Sequence, residues 1–345
     1  MVSRRGHFPG VSCHFDFCQC HDHGSAARRR AVRTLRALTL ACFGVFACNG
    51  SEEAASQEDD LKAGVQSTLS IPLAEVSGLG RRTVGGREEL LALGDSSYRV
   101  AVGQVEGKKT LKASFVLVDL EPLLGDYVQS AGSQWEAIAS DASGRLFVLE
   151  ENPGRLFVFD AAGTALEHVA SLSVPEEFES TAQDWAKESN SRGEGLVLLA
   201  NGHVLVAKEK DERLLLELGP AGDAPAGYRR ELAVGTSGTF PVPAGVTSEL
   251  VVLAEWSVGK PNKLADLSDL AIDAAGALFV LSDQGQAYGQ LVDPIDPGQD
   301  SVDIDDVVKI PSCEKPEGLA FLASGQAVAA SDQKSQKNNA VVLKP

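Results

Sequence analysis

Residues 136–151 read EAIASDASGRLFVLEE: an acid, a short apolar run, the turn sequence Asp141-Ala-Ser-Gly144, a second apolar run and a closing pair of acids. The Asp141 side chain can close an Asx turn and Gly144 tolerates positive φ, so two short apolar runs joined in this way form a β-hairpin. The same phrase recurs at residues 194–209 (EGLVLLANGHVLVAKE), 269–283 (DLAIDAAGALFVLSD) and 317–332 (EGLAFLASGQAVAASD). A fifth copy starts at residues 75–79 (EVSGL), takes a longer turn and returns through residues 90–95 (LLALGD).

The starting acids lie 61, 58, 75 and 48 residues apart, and further apolar runs follow at 155–160 and 214–218. Units of this length with three or four strands are propeller blades, whose sheets bury both faces on their neighbours. The expected fold is therefore all-β, a β-propeller of five blades over residues 67–345. A sixth, degenerate blade in the long interval 194–269 is the alternative. Residues 68–73 (TLSIPL) are expected to complete the last blade beside residues 339–343, which joins the two ends and removes a free edge. The insertion 175–193, with Phe178 and Trp185, reads as a short amphipathic helix capping a blade rather than a lid on the channel.

The N-terminal part has a different composition. Residues 1–47 hold seven Arg and two acids, whereas the remainder carries 24 basic and 46 acidic residues, a net charge of −22. So acidic a body repels phosphate backbones, which argues against a nucleic-acid partner. The Arg-rich stretch precedes an uncharged apolar run, residues 37–47, too short to span a bilayer but matching the apolar region of a secretory signal. The run ends Val45-Phe46-Ala47-Cys48 and resembles the lipobox of bacterial lipoproteins, with Phe46 larger than the usual residue at its position. A plain signal peptide cleaved near Ala47 is the alternative. The expected organisation is a leader and signal (1–47), a lipidated, disordered, acidic tether (48–66) and the propeller. Cys48 is the lipidation site, and the exported monomer is held on a bacterial membrane. Cys13, Cys18, Cys20 and their neighbouring His residues fit no structural zinc spacing and precede the signal. Beyond Cys48, Cys313 is the remaining thiol, so no internal disulfide is expected.

The hairpins carry acids at both ends of their strands on one side. Glu75, Glu136, Glu194, Asp269 and Glu317 enter the first strands; Asp95, Glu151, Glu209, Asp283 and Asp332 leave the second. If these hairpins line the channel, ten carboxylates converge on one mouth, where repulsion and desolvation force protonation or recruit cations. An oxygen-rich set without His or Cys suits Ca²⁺. For the second ring, pairing with basic residues such as Lys208, Lys315 and Arg99 is the competing reading.

The segments Glu194-Gly-Leu, Glu317-Gly-Leu-Ala and Glu75-Val-Ser-Gly-Leu, with Asn190-Ser-Arg-Gly193 before Glu194, resemble the SdiA-regulated and esterase-like phytase propeller families. The resemblance implies a secreted or envelope-associated propeller with acidic metal-binding positions, and it supplies no catalytic set. Gly-x-Ser-x-Gly elbows, P-loops and dinucleotide fingerprints are absent from the sequence, and a Ser-His-Asp triad has little to draw on. The expected function is cation-dependent binding of an envelope ligand or protein at the acidic mouth; the alternative is a metal-dependent phosphoesterase.

Overall fold

Each repeated hairpin grows into a four-stranded antiparallel sheet, and the chain closes the ring with its first strand. In the computed structural model, which describes residues 61–107, 111–187, 192–209, 212–235, 237–259 and 264–345, these strands all belong to the unit Gln57–Pro345. The leader, Cys48 and most of the tether lie outside the described residues. After β1 (Val65–Leu69), the first blade comprises β2 (Val76–Val84), β3 (Arg87–Gly94), β4 (Ser97–Glu106) and β5 (Lys112–Asp119). The second comprises β6 (Trp135–Ser140), β7 (Leu146–Glu150), β8 (Arg155–Phe159) and β9 (Leu166–Ser173). The third comprises β10 (Gly195–Leu198), β11 (Val204–Lys208), β12 (Leu214–Gly219) and β13 (Thr247–Val258). The fourth comprises β14 (Asp269–Ile272), β15 (Leu278–Ser282), β16 (Ala287–Leu291) and, after the two-residue β17 (Ser301–Val302) that pairs with β13, β18 (Ile304–Lys309). The fifth comprises β19 (Pro316–Phe321), β20 (Ala327–Ser331) and β21 (Ala340–Leu343), completed by β1.

The turns form as their residues dictate. Ser143 N–H donates to Asp141 Oδ1 at 3.0 Å, Ala275 N–H to Asp273 Oδ1 at 2.8 Å and His203 N–H to Asn201 Oδ1 at 3.1 Å. The glycine that follows each polar residue, Gly144, Gly276 or Gly202, has φ between 77° and 92°, so a Cβ there would strain the hairpin.

Inner strands β2, β6, β10, β14 and β19 contact one another in a closed cycle. They approach so closely that a Cβ on Gly78 would lie 2.5 Å from Glu136 O, and one on Gly195 would lie 2.4 Å from Leu270 N. Five apolar clusters fill the five blade-to-blade interfaces. Leu91, Trp135 and Phe157 mark the first; Phe147, Leu156 and Leu216 the second; Leu205, Trp256 and Val280 the third; Leu281, Phe321 and Val341 the fourth; Leu90, Val328 and Val342 the fifth. Each fully buried side chain of this size contributes about 1.5–3 kcal/mol, so every blade is held from both sides.

Two details differ from the expectation. The closing strand is β1, Val65–Leu69, with Val65 opposite Leu343 and Leu69 opposite Ala340. It therefore starts inside the segment expected to be tether and stops before Pro72, which has no N–H for a ladder. Beyond it, buried Asn339 accepts from Ile71 N–H at 2.8 Å and donates to the Ile71 and Leu73 carbonyls at 3.1 and 3.0 Å. The long interval 194–269 contains, among its described residues, β10–β13 and a connection spanning residues 220–246; no additional four-stranded sheet occurs there among the described residues. Blades two and three share one sheet, because β9 pairs in parallel with β13 (Thr247 opposite Val169, Val251 opposite Ser173). The insertion forms helix α1 (Glu179–Lys187), whose Trp185 packs with Phe178 into the core between blades two and three; it is a cap.

Candidate functional site

The end of the channel where the inner strands begin is called the upper end. There β6 and β19 each carry a bulge: Trp135 opposes Glu150 and Ala137 opposes Leu149, leaving Glu136 extra, while Glu317 is extra between Pro316 and Gly318. Bulges re-aim a side chain, and here they turn glutamates toward the mouth. Glu194, whose N–H donates to Ala207 O beside the Gly195–Ala207 pair, has the same position in blade three.

Blades one and four differ. The residue in the bulge of β2 is Ser77, between Val76 and Gly78, and Glu75 lies two residues earlier with φ 51°. In blade four Asp269 pairs with Leu281, the counterpart of Ala137 and Gly195, so the equivalent of Glu136 is Ser268. Ser77 Oγ donates to Trp135 O at 2.5 Å and Ser268 Oγ to Pro316 O at 3.0 Å, the same bond to the next blade in both cases. Buried Asp269 accepts N–H bonds from Leu270 and from Leu319 of the adjacent inner strand, both at 2.7 Å. It therefore joins two strands instead of facing the mouth. Counting five residues back from the turn aspartates, from Asp141 to Glu136 and from Asp273 to Ser268, gives the correct register.

The other nine expected acids converge. Burial, then the charges of Glu151, Asp95, Glu317 and Glu209, push Glu136 well above the ordinary carboxylate range. Burial followed by Glu136, Glu151, Glu209 and Glu317 does the same to Glu194. Burial and the neighbouring Glu75 and Asp332 raise Asp95 to about 6. Glu317 rises to about 8 through burial and Asp332, against the lowering effect of Lys315. The Asp332 carboxylate is compensated, lying 2.5 Å from Lys315 Nζ, which is also 3.4 Å from Glu317. Lys208, fully buried at the upper end of β11, lies 3.9 Å from Asp184 of α1. Two other basic residues are engaged elsewhere: Arg99 pairs with Asp119 and Arg192 donates to the Trp185 and Pro153 carbonyls.

One member of the site was not foreseen. Asp266, in the segment leading into β14, is buried and accepts from Ser282 Oγ and from Gln284 N–H. One carboxylate oxygen from each of Glu209, Asp266 and Asp283 lies within 4.8 Å of the other two. Burial, then hydrogen bonding and repulsion from Asp266, raise Asp283 to about 7. Calcium–oxygen distances of about 2.3–2.6 Å place ligand oxygens no more than roughly 5 Å apart across the ion, so the triad can hold a metal ion.

The lower end of the channel is lined differently. Leu79, Ile138, Leu196, Leu270, Leu319 and Phe321, from all five inner strands, line a cavity there. Val234 and Gly235 of the 220–246 connection form part of its wall.

No protein-family model and no curated protein matches this sequence. Among solved structures, the chain is similar to the PQQ-bound form of aldose sugar dehydrogenase from Streptomyces coelicolor, at 11% identity over 82% of this chain and 97% of that one, with a TM-score of 0.43. It is also similar to a gluconolactonase from Xanthomonas campestris, at 13% identity over 83% and 85% of the two chains, TM-score 0.40. For virginiamycin B lyase from Staphylococcus aureus the identity is 10% over 76% of this chain, TM-score 0.37; the chain spans 66% of the lyase.

Proposed function

We propose that the upper end of the propeller binds a divalent cation, Ca²⁺ by its ligand chemistry, and through it an envelope ligand or partner. The observation that carries this reading is the approach of the Glu209, Asp266 and Asp283 oxygens to within 4.8 Å of one another, in the field of the raised carboxyls of Glu136, Glu194 and Glu317. Like charges held this close stabilise a hard cation, whose remaining coordination positions are open to an oxygen donor from a ligand. Export and anchoring through a lipidated Cys48 belong to the same proposal, resting on the lipobox-like sequence Val45-Phe46-Ala47-Cys48.

Calorimetric titration of chelator-treated protein with Ca²⁺ tests the site. Wild type is expected to bind and to melt higher, since a ligand at a hundredfold excess over Kd stabilises by about 2.7 kcal/mol. The double variant Asp266→Asn/Asp283→Asn loses binding while retaining its fold. Equal Ca²⁺ responses in the two proteins would remove the site.

A further inference from the structure

The acidic mouth already carries a cation of the chain's own. Asp266 stands two residues before Ser268, and Lys315 stands two residues before Glu317, so the two hold the same place in adjacent blades. Rotation by one blade therefore carries Glu209, Asp266 and Asp283 onto Asp283, Lys315 and Asp332. In the first set three carboxylates approach one another. In the second an ammonium stands where the middle carboxylate would be. Lys315 Nζ lies 2.5 Å from Asp332 and 3.4 Å from Glu317. The backbone supports this placement, since Asp332 N–H donates to Lys315 O at 2.9 Å. Lys315 has φ 46°, a left-handed conformation that a lysine adopts at a cost, and the contacts of its ammonium offset that cost. A further oxygen is close by: Asp95 Oδ1 is buried without a hydrogen-bond partner, and both Asp332 and Lys315 act on the Asp95 carboxyl. The Lys315 charge also acts on Asp283 of the triad, so one ammonium is felt in both parts of the mouth.

We propose that Lys315 is a built-in counter-cation, filling the place beside Asp332 and Glu317 that a second divalent ion would otherwise take and confining the metal to Glu209, Asp266 and Asp283. Where the first ion sits rests on the cation-binding reading of the triad; the role of Lys315 does not. A tethered ammonium is not diluted as free ions are, so a metal entering here must displace a charge already in place. Without that charge, Glu317, Asp332 and Asp95 present oxygens alone, a ligand set for a hard cation. The mouth thus takes one divalent ion where its carboxylates have room for two.

Equilibrium dialysis against Ca²⁺ at pH 8 counts saturably bound ions without requiring the metal-free protein to fold. Lys315→Asn, which suits a left-handed backbone, is expected to bind one equivalent more than wild type. Lys315→Arg keeps the charge and should bind as many as wild type. If Lys315→Asn does not fold, Lys315→Gln removes the same charge and should show the same gain. In Lys315→Asn/Asp266→Asn/Asp283→Asn the additional ion remains while that of the triad is lost. No gain on removing the charge, an equal gain in Lys315→Arg, or loss of the additional ion from the triple variant overturns the proposal. A wild type that binds no Ca²⁺ beside a Lys315→Asn protein that binds one would remove the triad as a site and leave the role of Lys315 standing, so the two readings fail separately.

Discussion

Blades three and four start their inner strands with an acid, yet Glu194 and Asp269 have opposite roles. Glu194 stands before its strand, close to four other glutamates, and burial with repulsion keeps it protonated above the usual range. Asp269 stands one residue further in, and its buried carboxylate holds two backbone N–H groups from two strands. One carboxylate is crowded by its neighbours at the mouth; the other satisfies donors that would be orphaned without it. A one-residue shift in register thus turns a candidate ligand into a structural tie, and in blade four Asp266 supplies the carboxylate at the mouth.

The largest expected effect tests that tie. Asp269→Ala leaves two buried amides without acceptors, at about 1–3 kcal/mol each; a loss of about 3 kcal/mol is expected in denaturant unfolding, with Ca²⁺ binding kept. Little destabilisation together with lost Ca²⁺ binding would show that Asp269 acts as the glutamates do.

The next effect concerns the glutamates. The folded-state pKa values of Glu136, Glu194 and Glu317 lie above the ordinary 4.5, Glu317 near 8, and the neighbouring Asp283 rises from its ordinary 3.8 to about 7. Between these limits the folded state binds more protons than the unfolded chain, so stability is present at low pH and lost as pH rises through the folded values. In chelator, a loss of about 2 kcal/mol is expected between pH 5 and pH 8, after discounting for solvent screening. Ca²⁺ should recover it at pH 8 and do little at pH 5. Glu136→Gln/Glu194→Gln should flatten the slope; an unchanged slope would mean these carboxyls are solvated.

The smallest effect is at the serine that occupies the ring position of blade four. Ser268→Ala removes one hydrogen bond to Pro316 O, a loss of about 1 kcal/mol, and should leave Ca²⁺ binding unaltered. A change in Ca²⁺ affinity would place Ser268 among the groups at the mouth.

The turns, the blades and the convergence of acids were legible because they depend on local chemistry repeated along the chain: Asp141 and Asp273 close their turns as their neighbours dictate. Register was less legible. Aligning copies on their first acid misplaced Asp269 by one residue and Glu75 by two, because the bulges that define the ring leave no mark of their own in composition. Asp266 lies two residues before Ser268, the place that Glu75 has before Ser77 and that Gln134, Arg192 and Lys315 hold in the other blades, so aligning the copies on their first acids hid it. The parallel pairing of β9 with β13 depends on where the 220–246 connection travels, and nothing in either strand announces it.

The pairing of Val65 with Leu343 makes the order of blades along the chain arbitrary. The two described ends of the ring are neighbours in one sheet, so a short linker between them would leave every sheet intact. New termini could then be opened at the exposed Gly85–Gly86 turn, where a Cβ on either glycine would meet no neighbour within 4 Å. A circular permutant of this kind keeps all five interfaces and both channel ends, because such a ring is defined by its contacts and not by where its chain starts.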